Sequence, residues 1–314
     1  MDEHNNRKHR KKIEDEDEDD DDDDEEDNMK VKVIDRPIEK TIFKAEFTGG
    51  YSIRQIFEFY EKLLINGIVW YFKEKEITIR TGTSGAKSNR KLVSNIDLDT
   101  EDIIYYYLDT DLVNLPGDDE TDSCYVEQFN IDLVKTFLKS IGKQASICFH
   151  KTTLDDTVHV LIEGDSTIRT GIKSGKYQPV EYDVSAFDNM NEVPNVKIVM
   201  KQFCDSMKGM FRGNTGYTCF RTFPRALFLE NCSGSGSITK KGHYGEYDGD
   251  PSKADESEYF EIKVNVTVMR ALQKIGSMAH NSIVKISSEE NGYLKMTHKI
   301  GDFGEHHIYL IDTS

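Results

Sequence analysis

The residues in this sequence whose type and spacing could do chemistry are cations. Lys135 and Lys139 stand four apart, as do Arg270 and Lys274; Lys201, Lys208 and Arg212 share one helical face, and Arg54 and Lys62 lie on another helical stretch. Residues three, four or seven apart on a helix come to the same side. The chemistry open to such a set is electrostatic. Ammonium and guanidinium groups neutralise phosphates and release counterions, without reading base sequence and without making bonds. Acids dilute the set: Glu58 and Glu61 in the first stretch, Asp132 in the second and Asp205 in the third. The chain carries a net charge of −17. Basic residues gathered on four helices of an acidic protein predict one positive surface facing a polyanion.

Other chemistry finds little support. There is no Walker loop, no G-x-G-x-x-G, no H-E-x-x-H and no G-x-S-x-G. Ser233-Gly234-Ser235-Gly236 looks like a phosphate cradle, but no helix with Lys-Ser/Thr follows, so it reads as a turn. Asp118, Asp119 and Glu120 would suit the metal of a nuclease, yet they fall in an Asp-rich insertion, Thr110–Cys124, that reads as a surface loop. The five cysteines are scattered with no C-x-x-C pair, as expected of reduced thiols. His306 and His307 are adjacent, and neighbours in a strand point to opposite faces, which argues against a shared metal. The expectation is a protein that is not an enzyme and holds no metal or cofactor. No run of 18 apolar residues occurs and the N-terminus is charged, so neither a membrane span nor a secretory signal is expected, and the location is read as intracellular.

The elements that must position the cations follow from periodicity. Residues 1–28 carry Arg7-Lys8-His9-Arg10-Lys11-Lys12 and then fourteen consecutive acids, Glu14 to Asp27. A self-repelling block of this kind buries nothing and is expected to be a disordered tail; the basic cluster would serve as a nuclear-import address. From Phe43 the pattern is regular. A strand (Phe43–Phe47) precedes a helix to about Leu64, for which Ser52 and Gln55 read as a capping pair. Helices are also predicted over Ile131–Ile141 with Asn130 as cap, Met200–Arg212, and Thr267–Ile275. Period-two runs follow each of them, and Gly242–Glu258 reads as a polar loop. Strand, helix, three strands: the unit recurs four times.

The last unit is the most telling. Ile283–Ile311 alternates apolar and polar residues in three runs broken at Glu289–Gly292 and Gly301–Gly304. Within it, Lys299-Ile300-Gly301-Asp302-Phe303-Gly304 followed by Ile308-Tyr309-Leu310 closely resembles the closing segment of eukaryotic-type DNA sliding clamps, the proliferating cell nuclear antigen family. Phe43 through the Trp70 strand to Tyr107-Leu108-Asp109 matches more loosely, in order and spacing. The resemblance implies an α+β fold of two clamp (processivity-fold) domains, with antiparallel sheets outside and four helices on the inner face. The expected layout is a tail (1–28), a linker (29–42), clamp domain 1 (43–172), an interdomain connector (173–194) and clamp domain 2 (195–314).

It also implies a function: a polymerase processivity factor, a homotrimer encircling double-stranded DNA, with DNA polymerase, other clamp-binding proteins and a clamp loader as partners. The helices would line the hole. Arg54, Lys139, Lys208 and Lys274 match the family's basic positions best, and Asp205 replaces an expected base. A pocket for partner peptides would be lined by Arg90, Val93, Val180, Leu310 and Ile311. Subunits would join by pairing Thr167, Ile168, Arg169 and Thr170 with Ser237, Ile238 and Thr239 of a neighbour. The connector diverges, and Asp312-Thr313-Ser314 stands where the family continues with Ala-Pro, so the sequence departs from the family at positions tied to peptide specificity. The acidic tail, long loops and loose match suggest a divergent member such as those of large DNA viruses, acting in the nucleus or a viral replication factory. The alternative is a clamp-fold transcription factor or scaffold, of the viral late-transcription type, that never closes into a ring.

Overall fold

A computed structural model describes residues 39–63, 65, 67–81, 92–113, 124–175, 195–210, 216–232, 238–278, 281–288 and 293–311. Four repeats of one unit make up this part of the chain. The first is β1 (Thr41–Phe47), α1 (Gly50–Lys62), β2 (Gly67–Phe72), β3 (Glu76–Thr81) and β4 (Leu92–Asp99), with one additional strand, β5 (Tyr105–Leu108). The second is β6 (Tyr125–Asn130), α2 (Ile131–Leu138), β7 (Ser146–Thr152), β8 (Thr157–Glu163) and β9 (Thr167–Lys173). The third is β10 (Val196–Val199), α3 (Met200–Met210), β11 (Tyr217–Thr222), β12 (Ala226–Cys232) and β13 (Ile238–Gly245). The fourth is β14 (Phe260–Asn265), α4 (Val266–Leu272), β15 (Ile283–Ser288), β16 (Tyr293–Ile300) and β17 (Gly304–Ile311).

Within each half the two repeats exchange their first strands. The sheets therefore run β5-β1-β7-β8-β9, then β13-β12-β11-β14, and an eight-stranded sheet β10-β15-β16-β17-β4-β3-β2-β6. The large sheet crosses the chain's midpoint through one antiparallel pair, β17 with β4, in register from Gly304 opposite Leu98 to Leu310 opposite Leu92. Backbones approach closely there: a Cβ on Gly304 would lie 2.6 Å from Leu98 Cδ2 and 2.7 Å from the Asp97 carbonyl oxygen. Gly301, at φ +51°, makes the left-handed turn that brings β17 back along β16. The two glycines of the Gly301–Gly304 turn thus answer two different requirements.

A hydrogen-bonded chain of buried polar groups spans this seam. The Lys299 carbonyl can only accept, so His298 Nδ1 carries the proton it receives (2.8 Å). His298 Nε2 then accepts from His306 Nδ1–H (3.0 Å), and His306 Nε2 from the Ser94 hydroxyl (2.7 Å). Ser94 Oγ in turn accepts from the Tyr60 hydroxyl (3.1 Å). Both imidazoles are neutral in this arrangement, and β16, β17, β4 and α1 are tied by one directional relay. Burial pushes His298 down to about 4 and, with repulsion from His298 and His307 in their protonated forms, holds His306 well below the usual imidazole range.

The helices pack in the order α2-α1-α4-α3, each against the next. Side chains of α1 show how the row sits on the sheets. Ile53, Ile56, Phe57 and Tyr60 are fully buried, and Phe57 stacks on Trp70 at 5.9 Å and meets Phe129 edge-on at 6.1 Å. Each such ring contributes about 1.5–3 kcal/mol by leaving water. Asn130 caps α2 as expected, its Oδ1 accepting from the N–H groups of Asp132 (2.9 Å) and Leu133 (3.4 Å), and Asn265 caps α4 through the Val268 N–H (3.0 Å).

Three local expectations are corrected. Ser52 and Gln55 form no capping pair: α1 begins at Gly50, whose N–H donates to the Ala145 carbonyl at 3.1 Å, and Gln55 is buried. A Cβ on Gly50 would lie 2.5 Å from that oxygen, so contact with the loop after α2 sets where the helix starts. Helix α4 is shorter than its apolar period, ending at Leu272 before a 3-10 turn, Ile275–Ser277. Strand β13 reaches Gly245, into the expected polar loop. The rest of that loop folds back, placing Tyr247, and Tyr259 just after the loop, at 4.3 and 5.4 Å from the Phe223 ring.

Candidate nucleic-acid interface

On the solvent side of the helix row, α1, α2 and the α4 end border a groove of about 620 Å³. Four of the expected cations line it: Lys62, Lys135, Arg270 and Lys274, together with Glu61 and Asp132. The groove brings together cations as far as 212 positions apart in sequence, Lys62 and Lys274. Helix packing alone does this, because Lys62 closes α1, Lys135 rides on α2, and Lys274 follows α4. Lys139 is exposed at the C-cap of α2, Lys201 is exposed in the first turn of α3, and Lys208 is exposed on its last turn. Arg212 lies outside the described residues.

Charge on this face is less free than the spacing suggests. Glu58 holds two cations at once, Arg54 Nε at 2.7 Å and Lys274 Nζ at 2.8 Å. Lys135 Nζ lies 2.5 Å from Glu61, and Lys208 Nζ lies 3.1 Å from Asp205. Arg54 also donates to the Ile141 carbonyl at 3.1 Å, so its guanidinium ties α1 to the segment after α2 and is half-buried. Burial would raise the Glu58 carboxyl, but hydrogen bonds from Lys274 and Arg54 outweigh it and leave the group below its ordinary value. Glu61 raises the Lys135 ammonium correspondingly. The acids were legible as dilution; their role as direct partners of these cations was not. Lys139 and Lys201 carry no ion pair among the described residues.

On the opposite, outer face of the eight-stranded sheet, Val93 and Ile311 pack with Tyr293 and Tyr309 into a small apolar cluster. Tyr309 faces Val93 across the β17–β4 seam and Tyr293 faces Ile311 across β16–β17, with the two tyrosine rings edge to face at 6.3 Å. Both tyrosines are missing from the expected pocket, although period-two alternation puts them on the same face as Val93. Leu310 points the other way and is fully buried in the main core. Arg90 and Val180 lie outside the described residues.

The expected subunit-joining strands occupy sheet ends. Thr167, Ile168, Arg169 and Thr170 lie in β9, the terminal strand of the five-stranded sheet, with Thr167 and Arg169 exposed. Ile238 and Thr239 lie in β13, the terminal strand of the four-stranded sheet, and Ser237 falls outside the described residues, as do Asp118, Asp119 and Glu120. Among the described residues no group of three or more His, Cys, Asp or Glu is arranged to hold a metal, and no helix is long and apolar enough to cross a membrane.

The comparison with solved structures decides the architecture. The PCNA2–PCNA3 complex from Sulfolobus tokodaii superposes with a TM-score of 0.61 at 14% identity, over 85% of this chain and 98% of that one. Proliferating cellular nuclear antigen from Entamoeba histolytica gives 0.64 at 10% identity, over 87% and 99%. PCNA from Thermococcus kodakaraensis gives 0.61 at 13%, over 86% and 99%. The chain has the fold of proliferating cell nuclear antigen. No protein-family model and no curated protein matches the sequence. In this clamp fold the four-helix row is one face and the large sheet the other, as the C-terminal resemblance implied; the divergence it suggested fits the 10–14% identities.

Proposed function

We propose that this chain is a DNA sliding clamp, whose copies join through β9 and β13 into a closed ring with the helix row facing duplex DNA. The function is topological: the ring keeps a polymerase and other clamp-binding proteins on their template and makes no bonds itself. One observation carries the reading. The third strand after the first helix, β4, pairs with the last strand of the second half, β17, while their counterparts β13 and β9 stand at the ends of their sheets. The seam inside the chain is thus a pattern that two chains could repeat between them. Unpaired edges favour association, and a closed ring satisfies them without open-ended growth. The cations of the helix row then face the enclosed phosphates, and the cluster of Val93, Tyr293, Tyr309 and Ile311 offers an apolar anchor outside the ring.

Retention on DNA tests it. A protein loaded on a nicked circular duplex is expected to stay bound through a high-salt wash and to be released when the circle is cut. A ring slides off ends, whereas a site-bound protein does not. Release unaffected by cutting would refute the clamp and favour a scaffold or transcription protein of the same fold that never closes.

A further inference from the structure

We infer that Glu58 and Glu61 set how strongly the helix row holds a polyanion, by competing with it for the same cations. The inference rests on the reading of that groove as a duplex-binding surface. One helix, α1, supplies both carboxylates three residues apart, on one side. Between them they reach the cations of both neighbouring elements. Glu61 holds Lys135 of α2 at 2.5 Å, and the two oxygens of Glu58 take Arg54 and Lys274 at 2.7 and 2.8 Å. The Lys274 bond crosses between the two halves of the chain, 216 residues apart.

These pairs are not required to hold α1 in place. Its buried stripe of Ile53, Ile56, Phe57 and Tyr60 does that, and Glu58 and Glu61 keep 16% and 25% of their side-chain surface open to solvent. Their effect falls on the groove. A phosphate approaching Lys135 or Lys274 must displace a carboxylate already at bonding distance. The Lys135–Glu61 pair is the more open of these, with half of the Lys135 side chain exposed, and such a pair contributes little net stability, so a phosphate can replace the carboxylate there at little cost to the fold. A cation that stays paired with its carboxylate neutralises no phosphate and so displaces no counterion from the DNA, and each pair therefore lowers both the affinity for phosphate and its dependence on salt. Lys62, Lys139 and Lys201, with no such acid in contact among the described residues, remain as the long-range attraction. The outcome is a surface that attracts a duplex and grips it loosely, as movement along it requires.

The test is duplex affinity against NaCl concentration, read by fluorescence anisotropy on a short linear duplex that a ring can thread. Glu61→Gln is expected to tighten binding roughly 3–10-fold at low salt and to steepen the log–log salt slope by about one. Glu58→Gln should act in the same direction. Lys135→Gln should weaken binding, and the double variant Glu61→Gln/Lys135→Gln should return close to the parent. Thermal melting of each variant checks the fold, and Glu61→Gln serves if Glu58→Gln is destabilised. Equal affinity and slope for Glu61→Gln and the parent, with Lys135→Gln weaker than both, would overturn the inference while leaving the duplex reading standing. No duplex binding by the parent or any variant at low salt would sink both.

Discussion

Acid should open this protein at the seam between its halves. The perturbation is a fall in pH from 8 to 5, acting on His298 and His306, which sit side by side on β16 and β17 with 2% and 0% of their surface exposed. Both imidazoles are neutral in the relay from Tyr60 to Lys299, so a proton added to either leaves an N–H facing another donor. With His298 at about 4 in the folded chain and near 6.5 unfolded, the unfolded state binds the extra proton first. Its contribution is therefore unaffected above pH 7 and is lost progressively as pH falls from about 6.5 toward 4, reaching roughly 3 kcal/mol for His298 alone. His306 is displaced in the same direction. Asp97 and Glu127 work against this, since burial raises both carboxyls and the folded chain takes their protons before the unfolded chain does as pH falls. A difference measurement removes them: urea unfolding of the parent and of His298→Gln, compared from pH 8 to 5. The variant should be less stable by about 1–3 kcal/mol at pH 8, for the broken buried hydrogen bonds. The gap should narrow by at least 1 kcal/mol by pH 5, because only the parent has that imidazole to charge. A gap that stays constant across the range would refute the reasoning.

Three further outcomes follow from the fold. Ile238→Pro removes a backbone donor from the terminal strand β13 and should turn the assembly into monomers in sedimentation, with melting near that of the parent. Lys139→Glu/Lys201→Glu/Lys208→Glu reverses charge at three exposed positions, so it should leave melting within a few degrees and abolish stimulation of polymerase processivity. Deleting residues 1–28, with their fourteen consecutive acids, should change neither melting temperature nor oligomeric state, which calorimetry and native mass measurement would check.

Much of the fold is legible in the sequence because each repeat states it locally. Asn130 before an apolar period, and the Gly301–Gly304 break between alternating runs, each answer a requirement of the nearest few residues. What is not legible depends on partners far along the chain. Gly50 starts α1 because Ala145 lies against it, and no local signal marks that. Spacing assigns Lys274 to a solvent-facing side, but only the packing of α1 against α4 reveals Glu58 bonded to it. The His298–His306 pair could have been found, since both occupy core-facing positions in runs otherwise filled by Leu294, Met296, Ile300, Ile308 and Leu310. A polar residue at an apolar position of an alternating strand is the signal, and it points to a buried hydrogen-bond partner.

The helix row sets an expectation for how many chains a closed ring needs. Helices in contact lie about 8–10 Å apart, so the four in the order α2-α1-α4-α3 cover an arc of roughly 35 Å per chain. If they stand along the inner wall, two chains give a circumference of ~70 Å and a diameter between helix axes of ~23 Å. Side chains fill about 10 Å of that, leaving roughly 13 Å. A B-form duplex, with grooves each about 8 Å deep and hence a width of roughly 20 Å, does not pass. Three chains give about 110 Å of wall, ~35 Å between axes and ~25 Å of clear opening, which admits the duplex with space for a layer of water. Four chains leave about 35 Å, too wide for Lys62, Lys139 and Lys201 to act on phosphates from all sides at once. The expected species is therefore three 36.0 kDa chains. Native mass measurement at micromolar concentration, with and without Ile238→Pro, decides it. A stable dimer or tetramer would overturn the geometry, and a monomer at every concentration would show that β9 and β13 do not pair.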